Sequence, residues 1–440
     1  MEKYFSDIDT KTFWIAFPLI ISNITVPLVG FVDNVVVGNL GSSIYIGAIG
    51  LGSIIISYIL FSFGFIKSIT VGFTSQHSGG KNEKSLLISL YQILLISSFI
   101  SIIIISFREQ IIHIALELMN GSDEVKSNSN IYLEYRIWSI PAIFLRDILI
   151  GYYIGLQKTK IAMMISIFIN ILNILLDYYF IYILSFGVEG VAIASVIAEY
   201  SVVLFVIFAI FSEKIFRNIK VDINSLFEWN SIKNKVFINF DMFLRSLILM
   251  TCFGYFMSAS ASYGDATLAA NTILLNFFFI FSYGIDGFAH ASEVLVGNAV
   301  GKKNNDLMTK SIYSTGKLSI ILMILYLIFF MFSNNMLVNF ITDIDIIKLL
   351  TSDYIIYLYL IFIFGTIAFW LDGVFIGGMK TKILRNVMII SGSIFLYVET
   401  TYNIGNNDFL WLSFVSFFMA RSILLSIILF KYRKNNHFLS

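Results

Sequence analysis

The amino-acid sequence predicts an all-α polytopic membrane protein, with twelve transmembrane helices arranged in two parallel six-helix lobes. Three observations lead to this fold class: the composition, the spacing of long apolar segments and an internal repeat. Of the 440 residues, 58% are hydrophobic and 13% are charged, whereas a soluble globular chain is about 45–50% apolar and about 25% charged. Because a soluble fold of this length could not bury so much apolar surface, we expect a lipid bilayer to solvate part of it.

Charge and cysteine content exclude several other classes of protein. The net charge is +1, so the chain is not a strongly basic nucleic-acid-binding protein, and we expect no nucleic-acid partner. The single cysteine, Cys252, can form no internal disulfide. No cluster of cysteine and histidine predicts a metal site, and we expect no cofactor.

Apolar stretches of about 20 residues, the length that a helix needs to cross a bilayer, recur along the chain. The first is too long for the apolar core of a signal peptide, and no cleavage pattern follows it. The predicted spans are 13–37, 44–76, 85–106, 131–156, 161–184, 188–211, 236–258, 266–297, 311–333, 351–377, 384–400 and 408–430.

Lysine and arginine predict the orientation of these spans. The N-terminal tail, every second connection after it and the C-terminal tail carry 20 of the 29 basic residues, and the remaining connections carry 3. Basic connections stay in the cytoplasm, so both termini are predicted to be cytoplasmic. A bias towards Ile, Asn, Lys, Phe and Tyr is typical of an AT-rich bacterial genome, and we expect a multi-pass protein of the bacterial plasma (inner) membrane.

The chain also repeats itself. The pattern Ile-Gly-x-x-Lys-Thr-Lys occurs at 154–160 and 376–382, near the ends of the fourth and tenth spans, and the separation of these two copies is called here the repeat offset. A Gly-x-Lys-Asn stretch occurs at 79–82 and at 301–304, and Phe-Ser-Phe-Gly at 61–64 resembles Phe-Ser-Tyr-Gly at 281–284. These matches predict an N-terminal six-helix lobe (1–211), a cytoplasmic linker (212–235) and a C-terminal six-helix lobe (236–440). An even number of spans in each lobe leaves the two lobes parallel.

The linker is basic and carries apolar side chains, among them Phe216, Leu226, Phe227 and Trp229. Such a segment either lies on the membrane surface or forms an ordinary solvated loop.

The first span combines a carboxylate with a helix-bending residue. Pro27 cannot donate a hydrogen bond to the carbonyl of Asn23, so the helix is predicted to bend near Pro27. Asp33 follows within the same span, and an ionisable group at membrane depth commonly marks function. The alternative is a static bend, with Asp33 close to the outer interface.

The fifth span carries Asn170, Asn173 and Asp177, whose spacing places all three on one helical face. Amides beside a carboxylate can stabilise either of its protonation states and can offer oxygen atoms to a cation. The alternative is a set of interhelical hydrogen bonds that only stabilises the helix bundle.

Further charged residues lie in other predicted spans. Asp241 and Arg245 are four residues apart on one face, which predicts either a functional group or a local ion pair. Asp286, His290 and Glu293 share a face and could carry protons, since histidine titrates near neutral pH. Possible partners across a cavity are Lys67, Arg146, Asp147 and Asp372.

Several of these segments resemble the MATE exporters (multidrug and toxic compound extrusion), especially their DinF-type branch. The similar segments occur in the same order along essentially the whole chain. That branch usually has arginine where Lys67 stands, and His290 departs from its small, apolar pattern. The segments are 32–41, 61–68, 170–177, 243–245, 268–271 and 282–289.

The resemblance implies a MATE fold, in which two six-helix lobes form a V around a central cavity. Members of the family export cationic or amphipathic compounds in exchange for H⁺ or Na⁺. In the DinF-type branch the proposed coupling site consists of carboxylates in the first and fifth spans. Those positions are Asp33 and Asp177 here, with Asn170 and Asn173 around them. Protonation would then bend the first span at Pro27 and release the substrate.

The leading hypothesis is therefore a monomeric secondary active efflux transporter that needs a small-molecule substrate, a bilayer and a coupling ion. A lipid-linked oligosaccharide flippase is the alternative, although the acids within the spans match or outnumber the bases. An intramembrane prenyl transferase would need Asp-rich motifs for Mg²⁺-diphosphate, which the sequence lacks, so we expect no enzyme. Gly79-Gly80-Lys81 is too short for a nucleotide-binding loop, so we do not expect ATP to drive transport.

Overall fold

A computed structural model of the protein describes residues 6–38, 43–119, 121–402 and 406–434, and describes the side chains of 6–25, 44–119, 121–401 and 406–432. The described residues contain helices and no strand, which confirms the all-α fold class. The α-helices are α1 (Asp7–Gly38), α2 (Ser43–Phe63), α3 (Phe65–Gly79), α4 (Glu83–Ser106), α5 (Arg108–Leu118), α6 (Asp123–Arg136), α7 (Ile140–Gly155), α8 (Thr159–Tyr178), α9 (Val188–Tyr200), α10 (Val202–Ser212), α11 (Lys214–Asn218), α12 (Ile223–Leu226), α13 (Trp229–Ser262), α14 (Asp265–Gly301), α15 (Asn305–Ile341), α16 (Asp345–Gly377), α17 (Thr381–Tyr402) and α18 (Asn407–Lys434).

Eleven segments within the described residues are long and apolar enough to cross a membrane, close to the predicted twelve. The remaining predicted span, 13–37, falls within helix α1, in which the side chains beyond Thr25 are not described. Large apolar side chains such as Phe340, 89% exposed, cover these helices and would be costly in water. The candidate spans are Ile44–Gly79, Glu83–Ser106, Asp123–Gly155, Thr159–Ile183, Val188–Ser212, Ile223–Ser262, Asp265–Gly301, Asn305–Ile341, Asp345–Gly377, Thr381–Thr401 and Asn407–Tyr432.

The chain forms two compact units. The N-terminal unit comprises Ile21–Asn239, and the C-terminal unit comprises Met1–Ile20 together with Phe240–Ser440. Helix α1 thus begins in the C-terminal unit and ends in the N-terminal unit. The lobe boundaries predicted from the sequence repeat stay a prediction.

The predicted repeat is visible in the turns that end the helices. Lys81 and Lys303, which are separated by the repeat offset, both adopt left-handed backbone conformations, with φ of 53° and 52°. The asparagine that follows each of them accepts a hydrogen bond from the backbone three residues later and so caps the next helix. Gln157 and Met379 are separated by the same offset and have φ of 65° and 54°. The same two turns are therefore built in both halves of the sequence.

Glycine residues allow two helix pairs to approach closely. A Cβ atom at Gly151 on α7 would lie 2.7 Å from the carbonyl oxygen of Lys67 on α3. A Cβ atom at Gly373 on α16, the equivalent of Gly151 at the repeat offset, would lie 2.2 Å from the carbonyl oxygen of Ala289 on α14. Small residues at helix contacts are the usual way for transmembrane helices to pack backbone against backbone. The repeated sequence thus builds the same close helix pair twice.

The linker is attached to the N-terminal unit by a buried amide. The Nε2 atom of Gln92 on α4 donates to the carbonyls of Ser225 (3.4 Å) and Leu226 (3.1 Å), and the Ser231 hydroxyl donates to Gln92 Oε1 (3.0 Å). This end of the linker is therefore docked on α4. Its exposed Trp229 agrees with the predicted position on the membrane surface, which stays a prediction.

Candidate functional site

Helix α8 places the predicted fifth-span residues in the N-terminal unit. Asp177 is fully buried, with 0% exposure, and Asn173 is 7% exposed. The Nδ2 atom of Asn173 lies 3.3 Å from Ser195 Oγ on α9. The Nδ2 atom of Asn170 donates to Thr25 Oγ1 on α1, at 2.7 Å. These amides therefore connect the carboxylate-bearing helix to two neighbouring helices.

The helix changes its winding directly after Asp177. Residues Tyr179–Ile183 form a π-helical turn, in which the backbone N–H of Leu184 bonds to the carbonyl of Tyr179 at 3.1 Å. Such turns are rare and occur frequently at functional sites, because they shift the direction of the side chains that follow. Asp177 thus lies where the helix is locally irregular.

Pro27 and Asp33 both lie in α1, but their side chains are outside the described residues. The predicted approach of Asp33 to Asp177 and the predicted bend at Pro27 therefore stay predictions.

A group rich in acids lies near α8 in the same unit. Arg146 on α7 donates to Asp147 (Nη2–Oδ1 3.1 Å) and to Glu199 on α9 (Nη1–Oε1 2.5 Å). The buried Oε2 atom of Glu199 has no hydrogen-bond partner among the described residues. Two carboxylates therefore share one guanidinium.

The expected local ion pair between Asp241 and Arg245 is wrong. Asp241 instead accepts from Arg385 on α17 and from the Thr381 hydroxyl (3.2 Å). Arg245 donates to Asp372 on α16 at 2.5 Å. Neighbouring helices supply better-placed partners for both side chains, so the spacing along a single helix did not determine the pairing.

Asp372 also accepts a hydrogen bond from a residue that the sequence reasoning missed. Arg421 on α18 donates from Nη2 to Asp372 Oδ2 at 2.6 Å, and its side chain is 1% exposed. Glu399 on α17 was missed as well, and it is fully buried. Both residues could have been identified from the repeat. At the repeat offset, Arg421 is the equivalent of Glu199, and Glu399 is the equivalent of Asp177.

The predicted cluster on α14 is partly assembled. His290 Nδ1 lies 2.9 Å from Glu293 Oε2, and both side chains are buried. Asp286 is half-buried one turn earlier, and Lys67 on α3 is also half-buried. Proton transfer by this cluster stays a prediction. In the described part of the chain, no group of three or more His, Cys, Asp or Glu residues could hold a metal ion.

Comparison with known proteins reveals relatives along the whole chain. The MatE family model matches residues 18–179 and 242–399. DNA damage-inducible protein F of Escherichia coli K12 is 30% identical over 426 residues, which is 97% of this chain and 93% of that protein. The multidrug resistance protein NorM of Vibrio cholerae serotype O1 is 26% identical over 306 residues, which is 66% of this chain and 64% of that protein.

Solved structures share the fold. A MOP superfamily transporter from Pyrococcus furiosus, described as having a binding pocket of reverse polarity, superposes with a TM-score of 0.86 at 17% identity. The match covers 98% of this chain and 97% of that chain. With the family model covering most of both halves and a relative at 30% identity over nearly the full length, the chain belongs to the MATE family of transporters.

Proposed function

We propose that this protein is a secondary active efflux transporter of the bacterial inner membrane, which exchanges H⁺ or Na⁺ for a small cationic or amphipathic organic compound. The proposal rests chiefly on Asp177, a carboxylate with 0% exposure within a candidate membrane span. An ionised carboxylate in such a place is costly, so it favours a bound proton or cation. Multidrug resistance relatives support an exporter, and the basic residues support cytoplasmic termini.

The contacts of α8 suggest how ion binding at Asp177 changes the conformation of α1, the helix that is expected to bend. Asn170 is two helical turns before Asp177 and is hydrogen-bonded to Thr25 on α1. Thr25 is two residues before Pro27, where α1 is expected to bend. We propose that Asp33 and Asp177 hold the ion with Asn170 and Asn173, and that this changes the bend of α1. The protein acts as a monomer in this account.

Reconstituted vesicles provide the test. With the membrane potential clamped, vesicles with an acidic interior, or with a high internal concentration of Na⁺, are expected to accumulate an external fluorescent cation such as ethidium. Ions leaving the vesicle would drive the cation inward, because the exchange couples their movements. Vesicles without protein are the control. Accumulation that is the same with and without either gradient would contradict coupled exchange.

A further inference from the structure

The C-terminal unit contains a buried group with an excess of positive charge, formed by Arg245, Asp372 and Arg421 and called here the arginine triad. Both arginines donate to the same oxygen, Asp372 Oδ2, at 2.5 and 2.6 Å. Two guanidinium groups and one carboxylate give the triad a net charge of +1. Asp372 is the carboxylate that both arginines contact.

This excess charge cannot be removed by a change of protonation. A guanidinium keeps its charge in any protein environment, whereas a carboxylate can in general take up a proton. A charged side chain at membrane depth requires a partner.

The triad also has hydrogen-bond donors without acceptors. Nη1 of Arg421 and Nε of Arg245 are buried and have no hydrogen-bond partner among the described residues. Buried donors of charged groups are costly when they are left unpaired. Both donors belong to the guanidinium groups that carry the excess positive charge. One bound anion could therefore neutralise this charge and accept both hydrogen bonds.

Aromatic rings surround the Arg421 guanidinium and define what can bind there. Its Cζ atom lies 5.6 Å from the ring centre of Phe369, 5.4 Å from that of Phe417 and 5.6 Å from that of Phe418. These cation–π contacts hold the guanidinium in position, and their apolar surface disfavours polyvalent anions. A single negative charge matches the net charge of the triad.

We propose that the arginine triad is a binding site for a small monoanionic group, which accepts hydrogen bonds from Arg421 Nη1 and Arg245 Nε. A halide from the medium and a carboxylate of a transported compound share this chemistry, and the second source rests on the proposed transport function. Because Arg421 is 1% exposed, the anion is occluded when bound, and the surrounding helices move when it exchanges.

Thermal unfolding of the purified full-length protein tests the site without a transport assay. The Na⁺ concentration is held constant while a bulky sulfonate is replaced by chloride or by benzoate. We expect a saturable rise of roughly 2 °C or more in the midpoint of unfolding, since an anion that binds only the folded state stabilises it. A rise with benzoate alone assigns the site to a carboxylate compound, and a rise with chloride alone assigns it to a halide.

Three variants test whether the anion-dependent rise in the midpoint of unfolding depends on the arginine triad. Arg421→Gln leaves a neutral Arg245–Asp372 pair and is expected to lose the rise. Asp372→Asn removes the carboxylate that competes with the anion for both guanidinium groups. Because a hydrogen bond between charged groups is worth about 1.5 kcal/mol or more, this variant is expected to bind the anion at least ~10-fold more tightly. Arg385→Gln, which removes another arginine of this unit, is the matched control and is expected to keep the rise.

Arg421→Gln is expected to abolish anion binding and Asp372→Asn to strengthen it. If one of these variants does not fold, the other still tests the proposal. Equal midpoints for wild-type protein in sulfonate, chloride and benzoate would overturn the proposal. A rise that persists unchanged in Arg421→Gln, or weaker anion binding by Asp372→Asn, would overturn it as well.

Discussion

Asp177→Asn is expected to reduce gradient-driven accumulation of the substrate to the level of vesicles without protein, while the protein still folds and inserts. The amide has nearly the same shape as the carboxylate but cannot bind a proton or carry a negative charge for Na⁺. Because the amide matches the carboxylate in size at this fully buried position, loss of packing is not expected to cause the loss of exchange. Asp33→Asn is expected to have the same effect on transport.

Glu399→Gln is the matched control for this prediction. Glu399 is also fully buried and is the equivalent of Asp177 at the repeat offset, in the C-terminal unit. Replacing it removes a carboxylate of similar burial, but it is outside the proposed coupling site, so most of the exchange should remain. If Asp177→Asn kept exchange at the wild-type rate, or if both variants lost it equally, the assignment of coupling to the fifth span would be wrong.

Gly373→Ala is expected to be strongly destabilising. The new Cβ atom would lie 2.2 Å from the carbonyl oxygen of Ala289, and a backbone atom cannot rotate away, so α14 and α16 must separate. Overpacking of this kind typically costs about 1–3 kcal/mol. We expect a lower midpoint of thermal unfolding and a smaller fraction of monodisperse protein in detergent.

Gly365→Ala, on the same helix, separates the clash from the general effect of replacing a helical glycine. A Cβ atom there would have its nearest contact at 3.7 Å, an ordinary van der Waals distance. Alanine favours the helix over glycine by roughly 0.5–1 kcal/mol, so this variant should be as stable as the wild type or more so. Equal stability of the two variants would contradict the close packing of α14 and α16.

The sequence predicted the fold well, because its strongest signals are those of membrane helices. Spans are defined by length and apolarity, and a bilayer imposes both directly. The repeat was predicted from Ile-Gly-x-x-Lys-Thr-Lys, and the structure gives its physical cause: Gly155 and Gly377 lie at close helix contacts, and the turn that follows each requires a left-handed residue.

Side-chain pairing was predicted less well. Asp241 and Arg245 share a helix face, but their partners are on α17 and α16. Which residues of distant spans face each other depends on helix packing, and a single sequence contains no information about that beyond its repeat. Arg421 and Glu399 were overlooked for the same reason, since a single charge in an apolar span has no local pattern to identify its partner.

The coupling of substrate to a cation can be tested most directly by running the exchange in reverse. Vesicles with equal pH and equal Na⁺ on both sides are given a substrate gradient alone, and the ion movement is recorded with internal H⁺- and Na⁺-sensitive dyes. The proposed function predicts that one of these ions moves against the direction of the substrate, and that Asp177→Asn abolishes this movement. Substrate entry without any opposing flow of H⁺ or Na⁺ would contradict it.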